Sequence, residues 1–501
     1  MQVDTFLKHH GIAENPFSAE EARDDPIFAR LLDAGAIHPE FDKVLGDPAQ
    51  PRPAVVFGEK GSGKTALRLM VERAVERHNA RHPDRRAWVV RYDDLNPVID
   101  RFTHHFRRGE SSDKLLQRFR LPDHMDAMLS RATTRLVDAL LGEDAATLGD
   151  DCRRTARRMD RQRRVDLAEL AVLYDQPASG DFAGRWARLR RTLRLGRVPW
   201  ARIVLWSGVG LALLTLGLVA GTWVTGSDDT RLSVATGIAG AAAVLLLAFA
   251  AWRWLGAWRL ARRVRREVRV VDRSPTQLRA ALMQMPARDL ADQPVPVPGD
   301  HDSRYQLTQR LLGVLGEFGY ASGIVLVDRV DEPALVQGDA QRMRALVWPM
   351  FDNKFLQQDG VGLKLLLPIE LRHLLHREDA NFFQQARLDK QHLVDRLTWS
   401  GTTLYDLCTQ RLQACQQDDA QPLTLAQLFT DEVGNRDLID ALDQMHQPRD
   451  AFKFIYQVIQ EHCANVPADE PQWQIPRLTL ESVRKQQSQR VQEFYRGLSP
   501  A

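Results

Sequence analysis

An α/β fold is expected, with a parallel sheet split by a helical insertion that carries two apolar spans and followed by a helical C-terminal lid. Three features of this 501-residue sequence point to it. Apolar runs bounded by turn residues stand at 54–57 (AVVF), 324–327 (IVLV) and 363–367 (LKLLL), with AWVVRY at 87–92. Such runs suit strands buried in a parallel sheet. Between the second and third of them in chain order the pattern is helical and rich in Arg. Within that stretch, residues 203–227 and 232–252 run for 25 and 21 positions without Asp, Glu, Lys or Arg. A bilayer core of about 30 Å needs about 20 apolar residues as helix, so both are long enough to span.

Composition sets the outer limits. With 44% hydrophobic and 27% charged residues the chain is not globally disordered, and 68 basic against 65 acidic residues give a net charge of only +3. Cys152, Cys408, Cys415 and Cys463 match neither a disulfide framework nor zinc spacing and are expected as ordinary thiols of a reducing compartment. His373 and His376 in HLLHRED lack the Glu of a helical zinc-protease motif.

In chain order, residues 1–50 form a polar helical head with a turn at NPF (15–17) and an acidic run at 20–25. Residues 51–100 hold the first two strands and, between them, GEKGSGKT: Gly58, Glu59, Lys60, Gly61, Ser62, Gly63, Lys64 and Thr65. This fits G-x-x-x-x-G-K-[ST] in full, and an amphipathic helix follows at 65–78. Glycines in such a loop let backbone N–H groups converge on phosphate oxygens, the helix start adds its positive end, the lysine reaches the β and γ phosphates, and the hydroxyl joins Mg²⁺. ATP and Mg²⁺ are the expected ligands.

A P-loop needs a second strand ending in acid. GIVLVDRVDE at 323–332 supplies it, with Asp328 beside Thr65 as a metal ligand and Glu332, then Asp331, as the expected general base. More than half the chain separates Thr65 from Asp328, whereas a βαβ unit needs only about 30 residues. One P-loop NTPase sheet is therefore expected to be opened by the insertion.

That insertion divides into a cytoplasmic helical part (101–198), a transmembrane hairpin (199–256) and a return helix with a Pro-rich linker (257–304). The basic run RRTARRMDRQRR at 153–164 suits anionic headgroups or nucleic acid, against the plainer reading of a solvated stalk. Seven Arg before the first span and eight after the second place both long ends in the cytoplasm. Trp200, Trp206, Trp223, Trp252, Trp254 and Trp258 suit interfacial belts, and Gly208, Gly210, Gly217, Gly221, Gly237 and Gly240 should let the two spans approach closely. The basic helix after the second span is expected to run through 258–285.

Residues 305–388 carry a helix at 304–318, the acidic strand, a helix at 340–351 and the 363–367 strand, with Glu370 and Arg372 just beyond as γ-phosphate sensor positions. From about 389 to 501 the chain is expected to be helical, with Arg449 in QPRDAFKFI at a helix start.

GEKGSGKT followed much later by VLVDRVDE, with a transmembrane pair between them, resembles the KAP family of P-loop NTPases, within the wider AAA-like and signal-transduction ATPases. DRVDE is similar to the extended Mg²⁺ motif of NACHT and KAP proteins, although Arg329 stands where typical KAP members have a second Asp. HGIAENPFSAEEA resembles the opening of bacterial secretion-type and origin-type AAA ATPases, and QPRDAFKFI their second sensor, which makes Arg449 the matching residue. The resemblance implies ATP hydrolysis coupled to assembly of a homo-oligomer at the bacterial inner membrane and, in some members, exclusion of phages or foreign DNA. An effector protein partner is then expected. Two other functions compete: a nucleotide-gated scaffold with little hydrolysis, and a motor or sensor acting on DNA.

Overall fold

In a computed structural model of the chain, five strands form one sheet in the order β2-β3-β4-β1-β5. The structure describes residues 1–18, 21–32, 38–106, 109–149, 151–177, 180–196, 200–225, 230–285, 294–296, 302–388, 391–417 and 421–495. Part of the acidic run at 20–25, the turn between the two spans and most of the Pro-rich linker lie outside the described residues. Contacts divide the chain into two compact units, Met1–Leu95 with Ala321–Ala501, and Asn96–Tyr320.

In the first unit the strands are β1 (Ala54–Gly58), β2 (Arg86–Tyr92), β3 (Tyr320–Val327), β4 (Val361–Pro368) and β5 (His392–Val394). β3 and β4, β4 and β1, and β1 and β5 pair in parallel. β1 and β4 are buried at every position, which is why they read as continuous apolar runs rather than alternating ones. Ala54 and Val56 of β1 pack with Leu67, Met70, Val71 and Val75 of the helix Lys64–Arg81, joined by Ile324, Leu326 and Leu366 of the neighbouring strands.

One polar residue breaks the β4 run. Lys364 is 1% exposed, and its Nζ donates to the carbonyls of Leu45 (3.0 Å) and Arg52 (2.7 Å), tying down the segment that enters β1. Burial pushes its ammonium down to about 8. An unfolded lysine holds its proton to about 10.4, so between these values the unfolded chain binds more protons than the folded one. Stability of this unit is expected to rise with pH from about 8 to about 10.4, and Lys364→Met to flatten that rise. Denaturation midpoints across the range, in detergent, measure it.

The region from 389 departs from expectation. His392–Val394 is a strand rather than helix, in register with β1 through Ala54 opposite His392 and Val56 opposite Val394, and helix resumes only at Gly401–Ala414. Three residues are too few to display alternation, and the partner that holds them lies more than 300 positions away. The head packs on the C-terminal helices. Phe6, Leu7, Ile12, Phe17, Ile27 and Leu31 share a core with Leu404, Cys408, Leu412, Phe454, Ile455 and Val458 of the C-terminal helices. All four cysteines are free and buried.

The second unit is helical. The basic stretch at 153–164 is not one continuous helix: it breaks at Met159 and Asp160, its Arg153, Arg154, Arg157, Arg158 and Arg161 are exposed, and the helix that follows, Arg161–Tyr174, is buried only from Val165 onward. Charge is packed inside. Asp126 accepts from Arg304 Nε and Nη2 at 3.0 Å each and from Tyr174 Oη at 2.8 Å. Arg185 donates to both oxygens of Asp175 (2.8 and 3.1 Å) and to Glu143 (2.6 Å), and Arg269 to Asp123 (2.6 Å). Burial raises the carboxyls of Asp126 and, to about 8, of Glu169.

Two helices of this unit, Trp200–Thr225 and Thr230–Glu267, are long and apolar enough to cross a membrane. Each contains an 18-residue stretch, within Ile203–Gly221 and within Ser233–Glu267, of mean hydropathy 2.2 that is only 6% buried. Leu213, Leu216, Trp223, Val244, Leu245 and Trp252 stand exposed along them. The glycines behave differently from expectation. A Cβ on Gly208 would come within 3.1 Å of Leu247, and one on Gly240 within 4.0 Å of Thr215, but Gly210, Gly217, Gly221 and Gly237 would meet nothing within 4 Å. Helical rotation puts those four off the shared seam, which a sequence count of glycines does not reveal. The basic helix does not run to 285 either. It ends at Glu267, and a new helix, Pro275–Leu282, starts from a Ser274 cap that accepts from the Gln277 N–H.

Candidate functional site

β1 ends at Gly58, and the next five residues turn sharply into the helix Lys64–Arg81. Gly61 and Gly63 sit at φ +93° and +90°, backbone that residues with a Cβ rarely adopt. At Gly61 a Cβ would also strike the Gln447 side chain at 2.7 Å. The loop closes on itself: Lys64 Nζ donates to the carbonyls of Gly58 and Glu59, each at 2.8 Å. Burial lowers the Lys64 ammonium, while the charges of Asp328, Asp331, Glu370 and Glu59 act to raise it.

The residue that follows β3 comes to the same place. Asp328 is 1% exposed, and Thr65 Oγ1 donates to its Oδ2 at 3.0 Å. Parallel strands force this meeting, because β1 and β3 flank β4 and end on the same side of the sheet. Burial raises the Asp328 carboxyl; Arg68, the Thr65 hydroxyl and Lys64 oppose the rise. Arg68 is itself buried and lies 3.4 Å from Asp328, 3.3 Å from Asp93 and 3.5 Å from Glu72. After Asp328 the chain turns through Arg329 at φ +59°, whose N–H donates back to Asp328 Oδ1 at 3.0 Å.

A cavity of about 410 Å³ opens at this loop. Lys60, Gly61, Gly63, Lys64, Thr65, Asp328, Asp331, Glu332, Glu370 and Arg449 all line it. Glu332 is half exposed and ion-paired with Arg329, which also lines the cavity. Arg449 stands in the first turn of Pro448–Asn465, and a Cβ on Gly61 would lie 3.2 Å from it; its Nε is buried with no hydrogen-bond partner among the described residues. Ser62 Oγ is buried in the same condition. Glu59 is held by Arg396 and Gln447. Arg372 faces Asp395 at 3.4 Å.

Several walls of the cavity carried no sequence signal. Trp399 Nε1 donates to the Ser62 carbonyl at 2.8 Å, and His38 packs edge-on against its ring. Phe28, Met70, Leu397, Leu407 and Phe452 form an apolar end. Arg411 seals it, donating to Asp25 at 2.6 Å and lying over the Phe452 ring. Asp25 caps the helix Pro26–Leu31, its carboxylate accepting from the Ile27 and Phe28 N–H groups.

Comparison of the chain with protein-family profiles, with curated proteins and with solved structures gave no match. The chemistry must therefore be argued from the site. Its parts are apolar side chains, a glycine loop with a half-buried lysine, a hydroxyl and carboxylate in contact, and two arginines, Arg411 and Arg449, on the helical wall. A flat apolar group joined to a polyanion suits that combination.

Proposed function

We propose that the chain is a membrane-anchored P-loop ATPase of KAP type, which couples its nucleotide state to assembly of an oligomeric signalling or anti-phage complex at the cytoplasmic face of the bacterial inner membrane. The observation that carries this reading is the 3.0 Å contact between Thr65 and Asp328, two residues from opposite ends of a long insertion, at the mouth of a cavity that also holds Lys64.

The residues fit the substrate. Among the described residues Lys64 donates to neutral carbonyls, and exchanging them for anionic phosphate oxygens sets charge against charge in those bonds. Gly61 and Gly63 supply the left-handed backbone that such a loop needs, and the helix Lys64–Arg81 adds its positive end. Phe28, Met70, Leu397 and Phe452 take the base, and Arg449 balances charge at the γ position. Thr65 and Asp328 supply hard oxygen donors for Mg²⁺, which when bound neutralises phosphate charge. Asp331 is placed to accept the proton of the attacking water, because its charge reaches Lys64 while Glu332 is tied to Arg329. That same tie favours a second reading, a nucleotide-gated scaffold that turns over slowly. The Arg collars and the two apolar helices support anchorage with both ends cytoplasmic.

Mg²⁺-dependent ATP turnover by the purified full chain tests the proposal. Asp328→Asn is expected to abolish the Mg²⁺ dependence; turnover equal in wild type and Asp328→Asn would sink the ATPase reading. ATP-dependent oligomers with turnover at background would favour the scaffold.

A further inference from the structure

The second unit contains a small cationic pocket that nucleotide chemistry does not use. It measures about 140 Å³ and is lined by Arg161, Arg164, Arg190 and Arg194 with Trp186 and Met285 among its apolar walls; no Asp or Glu appears among the described residues that line it. Arg164 and Arg194 carry the argument. Arg164 reaches the Leu193 carbonyl through Nη1 (3.2 Å), while its Nε is buried with no hydrogen-bond partner among the described residues. Arg194 is exposed at φ +50°, a left-handed turn that ends the helix Phe182–Thr192. The nearest acids in sequence face elsewhere: Asp160 caps the Gln162 N–H, and Asp166 accepts from Gln162 and Arg310.

Arg190 is engaged by Gln284, which also lines the pocket, while the planar forks of Arg164 and Arg194 match phosphate oxygens. The volume suits one phosphate group. Position names the source. Arg194 to Gly196 border the pocket, and the apolar helix begins at Trp200. At no more than about 3.6 Å per residue the pocket lies within reach of the end of that helix, and hence of the headgroup layer. We propose that this pocket binds the phosphate of an anionic phospholipid headgroup, Arg164 and Arg194 clamping its oxygens and Trp186 bordering the glycerol side. The lipid source rests on the membrane reading above; the phosphate chemistry does not.

The test uses the full chain in neutral detergent, titrated by calorimetry with dioctanoyl phosphatidylglycerol, dioctanoyl phosphatidylcholine and inorganic phosphate. Phosphatidylglycerol should bind with one site per chain and phosphatidylcholine should not. In R164Q/R194Q the affinity should fall about tenfold or more, the effect of losing even one charge-assisted hydrogen bond. R157Q/R158Q, exposed arginines of the same basic run, should bind as wild type. Equal losses in the two double variants, or undiminished binding in R164Q/R194Q, overturn the proposal. Inorganic phosphate binding as tightly as the lipid overturns the lipid source. Carbonate-resistant membrane association of both variants, with matching thermal midpoints, keeps a failed anchor or a failed fold distinct from a lost pocket.

Discussion

Lys64→Ala is expected to lower Mg²⁺-dependent ATP turnover by about two to three orders of magnitude, the range seen when one preorganised donor is removed from a developing negative charge. The lysine is half-buried, feels the charges of Asp328 and Asp331, and among the described residues donates to the carbonyls of Gly58 and Glu59. Its charge is therefore poised rather than spent, and the cost of burying it is met when phosphate arrives. Alanine removes the charge together with the two bonds to Gly58 and Glu59, while the left-handed backbone at Gly61 and Gly63 is unchanged in sequence. Binding of a fluorescent ATP analogue should weaken less than turnover, since the remaining N–H groups and the apolar side chains still act. A variant with unchanged turnover would remove Lys64 from the chemistry.

Arg304→Leu is expected to destabilise the second unit by about 3–5 kcal/mol, the cost of leaving a buried charge without its partner. Asp126 is fully buried and receives two bonds from Arg304, with Tyr174 as its remaining side-chain donor. Folded Asp126 then holds its proton to higher pH than unfolded Asp126, so the loss should shrink as pH falls, because the folded state binds the extra proton. Asp126→Leu with Arg304→Leu should recover most of the stability, since the buried charge disappears with its partner. Protease protection of residues 121–174 in the detergent-solubilised full chain, followed against temperature and pH, measures all three effects. Equal destabilisation by the single and the double change would mean that the site depends on packing alone.

The four longer strands and the glycine loop were legible because each announces itself locally: an apolar run, a turn, a motif whose spacing is set by phosphate geometry. The meeting of Thr65 with Asp328 was legible for the same reason, since a loop of that kind demands an acid at a strand end. What stayed hidden is set by partners far away in sequence. β5 exists because β1 offers it an edge, Trp399 matters because it reaches the Ser62 carbonyl, and the head at 1–50 buries Phe6 and Ile12 against helices near the other end of the chain. Elsewhere in the second unit Arg304, Arg310 and Arg185 pair with Asp126, Asp166 and Asp175, and a count of charge along one segment cannot distinguish such buried pairs from a solvated face like the one that carries Arg157 and Arg158.

Arg68 gives the sheet a property that its individual contacts do not. One guanidinium is divided among Asp328, which faces the cavity, Glu72 on its own helix, and Asp93, which stands two residues before the first unit ends at Leu95. The three carboxylates compete for a fixed supply of positive charge. The point where the chain leaves the first unit is thus tied through one guanidinium to the acid beside the glycine loop.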